Sequence, residues 1–286
     1  LGAGPGVTVY ESPAKLNLAL LVESPRADGL HPLESLVQAI DWLDLLDVEE
    51  SEEDNLVIEG ADLDPEDNLV TRSLKAIREQ SFVPPLDIRL DKHIPSGAGL
   101  GGGSSNAAAI LLAAAETGRI QRSVAEEVAP SIGADVPLFL IGGTLLIGGI
   151  GDQVETLQPL TDFAVAVAVP QFELSTVEVY RRWDAMEGPV GETIPSRLLP
   201  PGLRDGIPIR NDLTPAAFDL EPTLADFMAD LRLRWGGPVL MTGSGSGCFG
   251  FFPDPDEASD AARSVEDLCR ATVGARLRPN GVARRT

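Results

Sequence analysis

Residues 95–116 read Pro95-Ser96-Gly97-Ala98-Gly99-Leu100-Gly101-Gly102-Gly103-Ser104-Ser105-Asn106-Ala107-Ala108-Ala109-Ile110-Leu111-Leu112-Ala113-Ala114-Ala115-Glu116. Five of the seven positions from Gly97 to Gly103 are glycine, and a run of strong helix formers follows. A glycine-rich loop brings its backbone N–H groups close to a ligand with no Cβ in the way. Ser104, Ser105 or Asn106 is expected to cap the helix. The first amides of a helix lack intrahelical partners and carry partial positive charge, so the stretch predicts a phosphate site.

Three other readings compete for the same residues. A tight turn needs one or two glycines, not five. Gly97-Ala98-Gly99-Leu100-Gly101-Gly102 fits the dinucleotide fingerprint G-x-G-x-x-G. However, Pro95 separates it from the strand-like Leu86–Leu90, and the nearest downstream acid, Glu116, ends the same helix. A Walker A loop is excluded because the loop holds no lysine.

The rest of the 286-residue chain sets bounds on partners. A net charge of −22 argues against nucleic acid and anionic membrane, which need basic patches. Lysine occurs only at positions 15, 75 and 92, and Lys15 and Lys92 both flank motifs. Cys248 and Cys269 make neither a disulfide framework nor a metal cluster. No apolar run reaches the roughly 18–20 residues of a membrane span, and no secretory signal is visible. The expectation is a cytoplasmic enzyme with small-molecule partners, as a monomer or weak homodimer.

Taken in order, Val7–Tyr10 and Ser12–Val22 predict two strands, the second with Lys15 and Asn17 on one face and Leu16 and Leu18 on the other. His31 follows in a turn, and Glu49–Asp54 reads as an acidic hairpin end or loop. Asp67 or Asn68 is expected to cap a helix running to about Gln80. After the glycine loop, Ser123–Ala129 predicts another helix. Asp135 lies between small residues and an apolar run; it is either a cap or a carboxylate with a purpose. Residues 142–151 read as two short strands, Phe163–Pro170 as a buried strand, Ser175–Trp183 as a helix start and 187–208 as a Pro/Gly-rich loop or lid. Phe218–Arg234 predicts one helix. The strands Pro238–Met241 and Phe249–Phe252 flank a second glycine loop, Thr242–Gly247, and a helix is expected from about Glu257 to Ala271.

Together these motifs resemble the GHMP kinase superfamily. The loop at 95–105 is similar to its phosphate loop, and Thr242-Gly243-Ser244-Gly245-Ser246-Gly247 to its C-terminal glycine motif. Five blocks resemble, more narrowly, the branch that acts on a CDP-linked methylerythritol in the non-mevalonate route to isoprenoids. They are Pro13–Leu18, Arg26–His31, Pro65–Val70, Leu90–Pro95 with its loop, and Gly133–Pro137. One departure is Leu30, which stands where that branch usually has a tyrosine.

The resemblance implies a two-lobed α+β fold, with a ribosomal-protein-S5-like N-terminal lobe over 1–155 and a ferredoxin-like C-terminal lobe over 156–286. It implies ATP and Mg2+ as cofactors and phosphorylation of the 2-hydroxyl of the methylerythritol. Asp135 is the implied catalytic aspartate and Lys15 its partner. The implied ATP site is Pro95, Gly97, Gly99, Leu100, Gly101, Gly102, Gly103, Ser104 and Ser105, with Asn68 and Lys92 on the adenosine side. The implied acceptor site is Asn17, His31, Thr176, Tyr180, Gly243 and Gly245. No metal ligand is assigned, although Ser104 or Ser105 could offer an oxygen. Two other readings stay open: a mevalonate- or homoserine-type small-alcohol kinase, and a nucleotide-binding homologue without catalysis.

Overall fold

The structure is a computed structural model and describes residues 6–61, 63–118 and 120–285. The Gly-rich start of the sequence, residues 1–6, lies, Gly6 apart, outside the described residues. The chain runs β1 (Thr8–Val22), β2 (Leu33–Glu50), β3 (Asn55–Glu59), α1 (Leu69–Gln80), β4 (Leu86–Asp91), α2 (Gly102–Thr117), α3 (Arg122–Ile132), α4 (Val136–Ile141), β5 (Thr144–Gly148) and β6 (Gln153–Thr156). It continues through β7 (Ala164–Val169), α5 (Thr176–Ala185), α6 (Thr214–Leu220), α7 (Thr223–Trp235), β8 (Val239–Met241), β9 (Cys248–Phe252), α8 (Pro255–Arg263), β10 (Ala271–Arg276) and β11 (Ala283–Arg284).

Two sheets result, in an α+β arrangement. The first has the order β11-β1-β2-β4-β3, with β5 on the early part of β2 and β6 beyond it. The 18-residue β2 serves two partners: Ser35–Gln38 pair with β5 and Leu45–Glu50 with β4. The second sheet has the order β10-β7-β9-β8. Helices α1 to α4 cover the first sheet, with α2 at the centre. Its Ala107–Ala115 run is buried on every side, as a helix apolar all round must be. Leu16, Leu18 and Ile40 of the first sheet share one core with Val165, Val167 and Phe249 of the second. Among the described residues no helix is long and apolar enough to cross a membrane.

Several sequence expectations are corrected. The first two predicted strands are one, β1, with register shifts at Pro13/Ala14 and Asn17/Ala19 that absorb the proline. The apolar run after Asp135 begins with a short helix, α4. The second strand read in 142–151 lies at Gln153–Thr156. The helix read over 218–234 is two helices, α6 and α7, because Pro222 biases Glu221 out of the helical region (φ −136°, ψ 85°). The last helix stops at Arg263, and Ala271–Arg276 instead forms β10 against β7. The chain then returns to the first sheet. Arg278 N donates to Ala39 O, Val282 N to Phe139 O, and Tyr10 pairs with Arg284.

Candidate active site

Segments from both sheets' sides converge on a cleft of about 410 Å³. β1 contributes Lys15 and Asn17, the phosphate loop Gly99 and Gly101, and the start of α4 Asp135. From the second sheet's side come Thr176 and Tyr180 on α5 and Gly243 and Ser244 of the second glycine loop.

The two glycine loops interlock through one backbone–backbone and one side chain–backbone hydrogen bond. Gly247 N donates to Ala98 O at 3.1 Å, and Thr242 Oγ1 to Gly99 O at 3.5 Å. Gly99 has φ +71°, and a Cβ there would lie 2.3 Å from Thr242 O. Only glycine meets both demands. Lys15 N donates to Leu100 O at 3.0 Å, tying the loop to β1 as well.

The expected side-chain cap of α2 is corrected. Gly101 occupies the N-cap in a left-handed conformation (φ +71°), with no side-chain cap, so Ser104, Ser105 and Asn106 lie within the helix. Ser105 is fully buried and its hydroxyl accepts from Ser12 Oγ at 2.8 Å. Ser104 is half-buried, so its hydroxyl is the more accessible of the two.

Lys15 is buried, and its ammonium donates to Asn17 Oδ1 at 2.5 Å and lies 3.8 Å from Asp135 Oδ2. Burial pushes that ammonium below the usual lysine range, and the Asp135 carboxylate offsets part of the shift. Asn17 is fixed in turn: its N donates to Thr242 Oγ1 at 3.0 Å and its Nδ2 to Ser35 Oγ at 2.8 Å. Asp135 stands at the start of α4 but makes no side-chain cap bond, and its side chain is 43% exposed. The cap reading of Asp135 therefore fails, and the carboxylate faces the cleft next to a cation.

Lys92 does not line this cleft. Its ammonium is turned into the core, donating to Asp44 Oδ2 at 2.5 Å and Asn106 Oδ1 at 3.0 Å. Asp44, fully buried, also accepts from His93 N, Ile94 N and Asn106 Nδ2. A Cβ on Gly102 would lie 3.1 Å from Lys92 Nζ, so this network sits directly beneath the first turn of α2. Asn68 resolves the choice of cap for α1: its Oδ1 accepts from Val70 N and Thr71 N. Leu69, next to it, packs where a Gly103 Cβ would point.

His31 is not among the residues lining the cleft; it packs against α5, next to the cleft residue Tyr180. Its ring centroid is 5.1 Å from that of Tyr180 and 5.6 Å from that of Trp183, and Nε2 is 2.7 Å from Asp184 Oδ1. Thr176 Oγ1 lies 2.7 Å from Ser244 Oγ. Burial, with Asp135 second, raises the Tyr180 phenol to about 12, so it stays neutral at ordinary pH. Leu30 is 48% exposed beside this cluster. Pro95 and Gly97 lie before the interlock, at the outer start of the loop. Ser35, Asp44, Asp184 and Ser244 were not singled out in the sequence, because each is defined by a partner distant in the chain.

This arrangement brings together a glycine loop at a helix start, a carboxylate–ammonium pair and an aromatic cluster. Residues 68–143 match the description "GHMP kinases N terminal domain" and residues 201–271 "GHMP kinases C terminal". The fold and site define a GHMP kinase, and the chain belongs to that superfamily. Among curated proteins it is similar to the 4-diphosphocytidyl-2-C-methyl-D-erythritol kinase of Pelodictyon phaeoclathratiforme, 34% identical over 93% of this chain and 96% of that one. It is also similar to that of Prosthecochloris aestuarii, 37% identical over 94% and 96%. A solved 4-(cytidine 5'-diphospho)-2C-methyl-D-erythritol kinase superposes with a TM-score of 0.76 at 33% identity, covering 94% of this chain and 98% of that one. A homoserine kinase from Cytophaga hutchinsonii, 17% identical, shares the fold alone, with a TM-score of 0.66 over 100% of this chain and 99% of that one. Within the superfamily, the chain belongs to the 4-diphosphocytidyl-2-C-methyl-D-erythritol kinase family.

Proposed function

We propose that this protein transfers the γ-phosphoryl group of ATP to the 2-hydroxyl of 4-diphosphocytidyl-2-C-methyl-D-erythritol. The observation that carries the reading is the Lys15–Asp135 pair, 3.8 Å apart, in the cleft that the phosphate loop and α5 both line. Membership of the family supports the substrate; the geometry supports the roles.

Phosphoryl transfer is mainly positioning plus neutralisation of charge on the phosphate oxygens. The free amides at the start of α2, with the glycine loop, hold the β- and γ-phosphates. Asp135 accepts the proton of the attacking hydroxyl as the new O–P bond forms and the bond to ADP breaks. Lys15, fixed by Asn17, keeps Asp135 ionised and faces the developing negative charge. Magnesium, when bound with the nucleotide, would supply further charge neutralisation on the phosphates. Ser104, the half-buried hydroxyl in the first turn of α2, would be the residue to offer such an ion an oxygen. His31, Tyr180 and Thr176 take the cytidine end. Asn68 flanks the adenosine side, and Lys92 acts from beneath α2.

The cleft residues named above all come from one chain, and we infer a cytoplasmic enzyme acting as a monomer or weak homodimer. The test is ATP consumption by the purified protein with the CDP compound, beside mevalonate and homoserine. Turnover with the CDP compound alone is expected; turnover with a control alcohol instead overturns the acceptor assignment.

A further inference from the structure

Ser96 and Gly97, the outer start of the phosphate loop, are exposed, and among the described residues they receive one hydrogen bond. It comes from the opposite sheet: Arg270 Nη2 donates to Ser96 O at 2.7 Å. The same guanidinium donates through Nη1 to Glu173 Oε1 at 2.7 Å. Its base is anchored where the chain enters β10, because Arg270 N donates to Val169 O at 2.9 Å. The second oxygen of Glu173 lies against the loop; a Cβ on Gly97 would meet it at 2.6 Å. A carboxylate is thus seated on the backbone of a loop whose task is to receive phosphate, and one arginine both neutralises it and holds the loop's carbonyl. A planar guanidinium can do both at once, whereas an ammonium is a compact point charge.

We propose that Arg270 is a positioning residue for nucleotide, tethering the start of the phosphate loop through Ser96 and cancelling the charge that Glu173 places beside Gly97. This rests on the reading of residues 95–105 as the nucleotide site, not on the identity of the acceptor. Glu173 also lies three residues before Thr176, and its neighbour Phe172 accepts from Ser246 Oγ at 2.8 Å. The segment carrying Glu173 therefore touches both glycine loops, which is why the effect belongs to the loop and not to a detached surface ion pair.

The test is calorimetric titration of the full chain with the non-hydrolysable analogue AMP-PNP and magnesium, together with ATP kinetics. Arg270→Ala is expected to weaken AMP-PNP and raise KM for ATP by about five- to tenfold, the range of one charge-assisted hydrogen bond partly open to solvent. The kcat at saturating ATP and the thermal midpoint are retained. Adding Glu173→Gln to Arg270→Ala is expected to restore at least half of the lost affinity in logarithmic terms, and Arg270→Lys to recover only part. Unchanged AMP-PNP affinity in Arg270→Ala overturns the proposal. So does a loss that Glu173→Gln does not relieve, or one matched by an equal rise in KM for the alcohol and a drop in thermal midpoint. Normal AMP-PNP binding by the wild type without turnover of the CDP compound overturns the acceptor assignment and leaves the Arg270 comparison intact.

Discussion

Lys15 and Asp135 stand 3.8 Å apart with opposite exposures: the lysine side chain is 8% exposed and the aspartate side chain 43%. The cation is thus desolvated while its partner remains open to the cleft. This asymmetry makes the pair useful to an incoming hydroxyl and costly to the fold.

Removing the cation therefore separates function from stability. The folded-state pKa of Lys15 lies below its unfolded value, so the protonated form costs stability at neutral pH, a cost that disappears only above the unfolded pKa. Lys15→Met keeps the volume and leaves Asp135 solvated. We expect turnover to fall at least ~100-fold, the scale of a lost transition-state donor. The thermal midpoint should rise by about 2–4 °C, as ~1 kcal/mol produces in a domain of 150–250 residues. Kinetics and calorimetry on one preparation check both.

The same lowered pKa sets an alkaline limit on activity. The cationic form is the active one, so kcat/KM should decline as pH rises through the Lys15 pKa, below the ~10.4 of an ordinary lysine. In Lys15→Arg, whose guanidinium stays charged, the limb should disappear from the measurable range even if activity is reduced. A wild-type profile flat to pH 10 would contradict the role.

These groups were partly legible in the sequence. Lys15 and Asn17 share a strand face by period-2 alternation, and the glycine loop needs no tertiary knowledge to read. What escaped was non-local. In the sequence Asp44 is one of three acids, with Asp41 and Asp47, in and just after the apolar-rich stretch Leu33–Leu46, and its partner Lys92 lies 48 residues away. That partnership lets an aspartate sit fully buried in β2. The helix expected to about Ala271 stops at Arg263, and β10 carries no signal of its own in the sequence, since only pairing with β7 reveals it. Asp184, Glu173 and Arg270 carry no motif at all; each acquires meaning from a contact across the fold.

Lys92 provides a contrast with Lys15. Both members of its ion pair are buried, with side-chain exposures of 3% and 0%. Lys92→Met leaves the Asp44 carboxylate in the core without its cation, which costs about 3–5 kcal/mol. We expect a large drop in urea midpoint, so loss of activity in this variant should track unfolding. A stable Lys92→Met protein with only a raised KM for ATP would instead put the ammonium in contact with nucleotide.

The interlocked loops predict a steep difference between glycines. Gly99→Ala meets both a positive φ and a carbonyl oxygen 2.3 Å away, so it should cost at least ~1–3 kcal/mol and raise KM for ATP. Gly237→Ala meets nothing within 4 Å and should fall within about ±0.5 kcal/mol. Denaturant melts of the two variants make the comparison.

Leu30 offers the most direct test of the acceptor end. His31, Tyr180 and Trp183 form a tilted aromatic cluster, and the neighbouring Leu30 is 48% exposed. A base seated beside this cluster gains from each aromatic face it meets, about 1–3 kcal/mol per stacked base in nucleic-acid platforms. Replacing an exposed leucine with tyrosine adds such a face without disturbing the core. Leu30→Tyr should therefore lower KM for the CDP compound by about fivefold or more, equivalent to ~1 kcal/mol, and leave KM for ATP unchanged. His31→Ala should move the same KM the other way, because it removes both a ring and the group held by Asp184. If both variants leave KM for the CDP compound unchanged while turnover persists, the cytidine does not lie against α5.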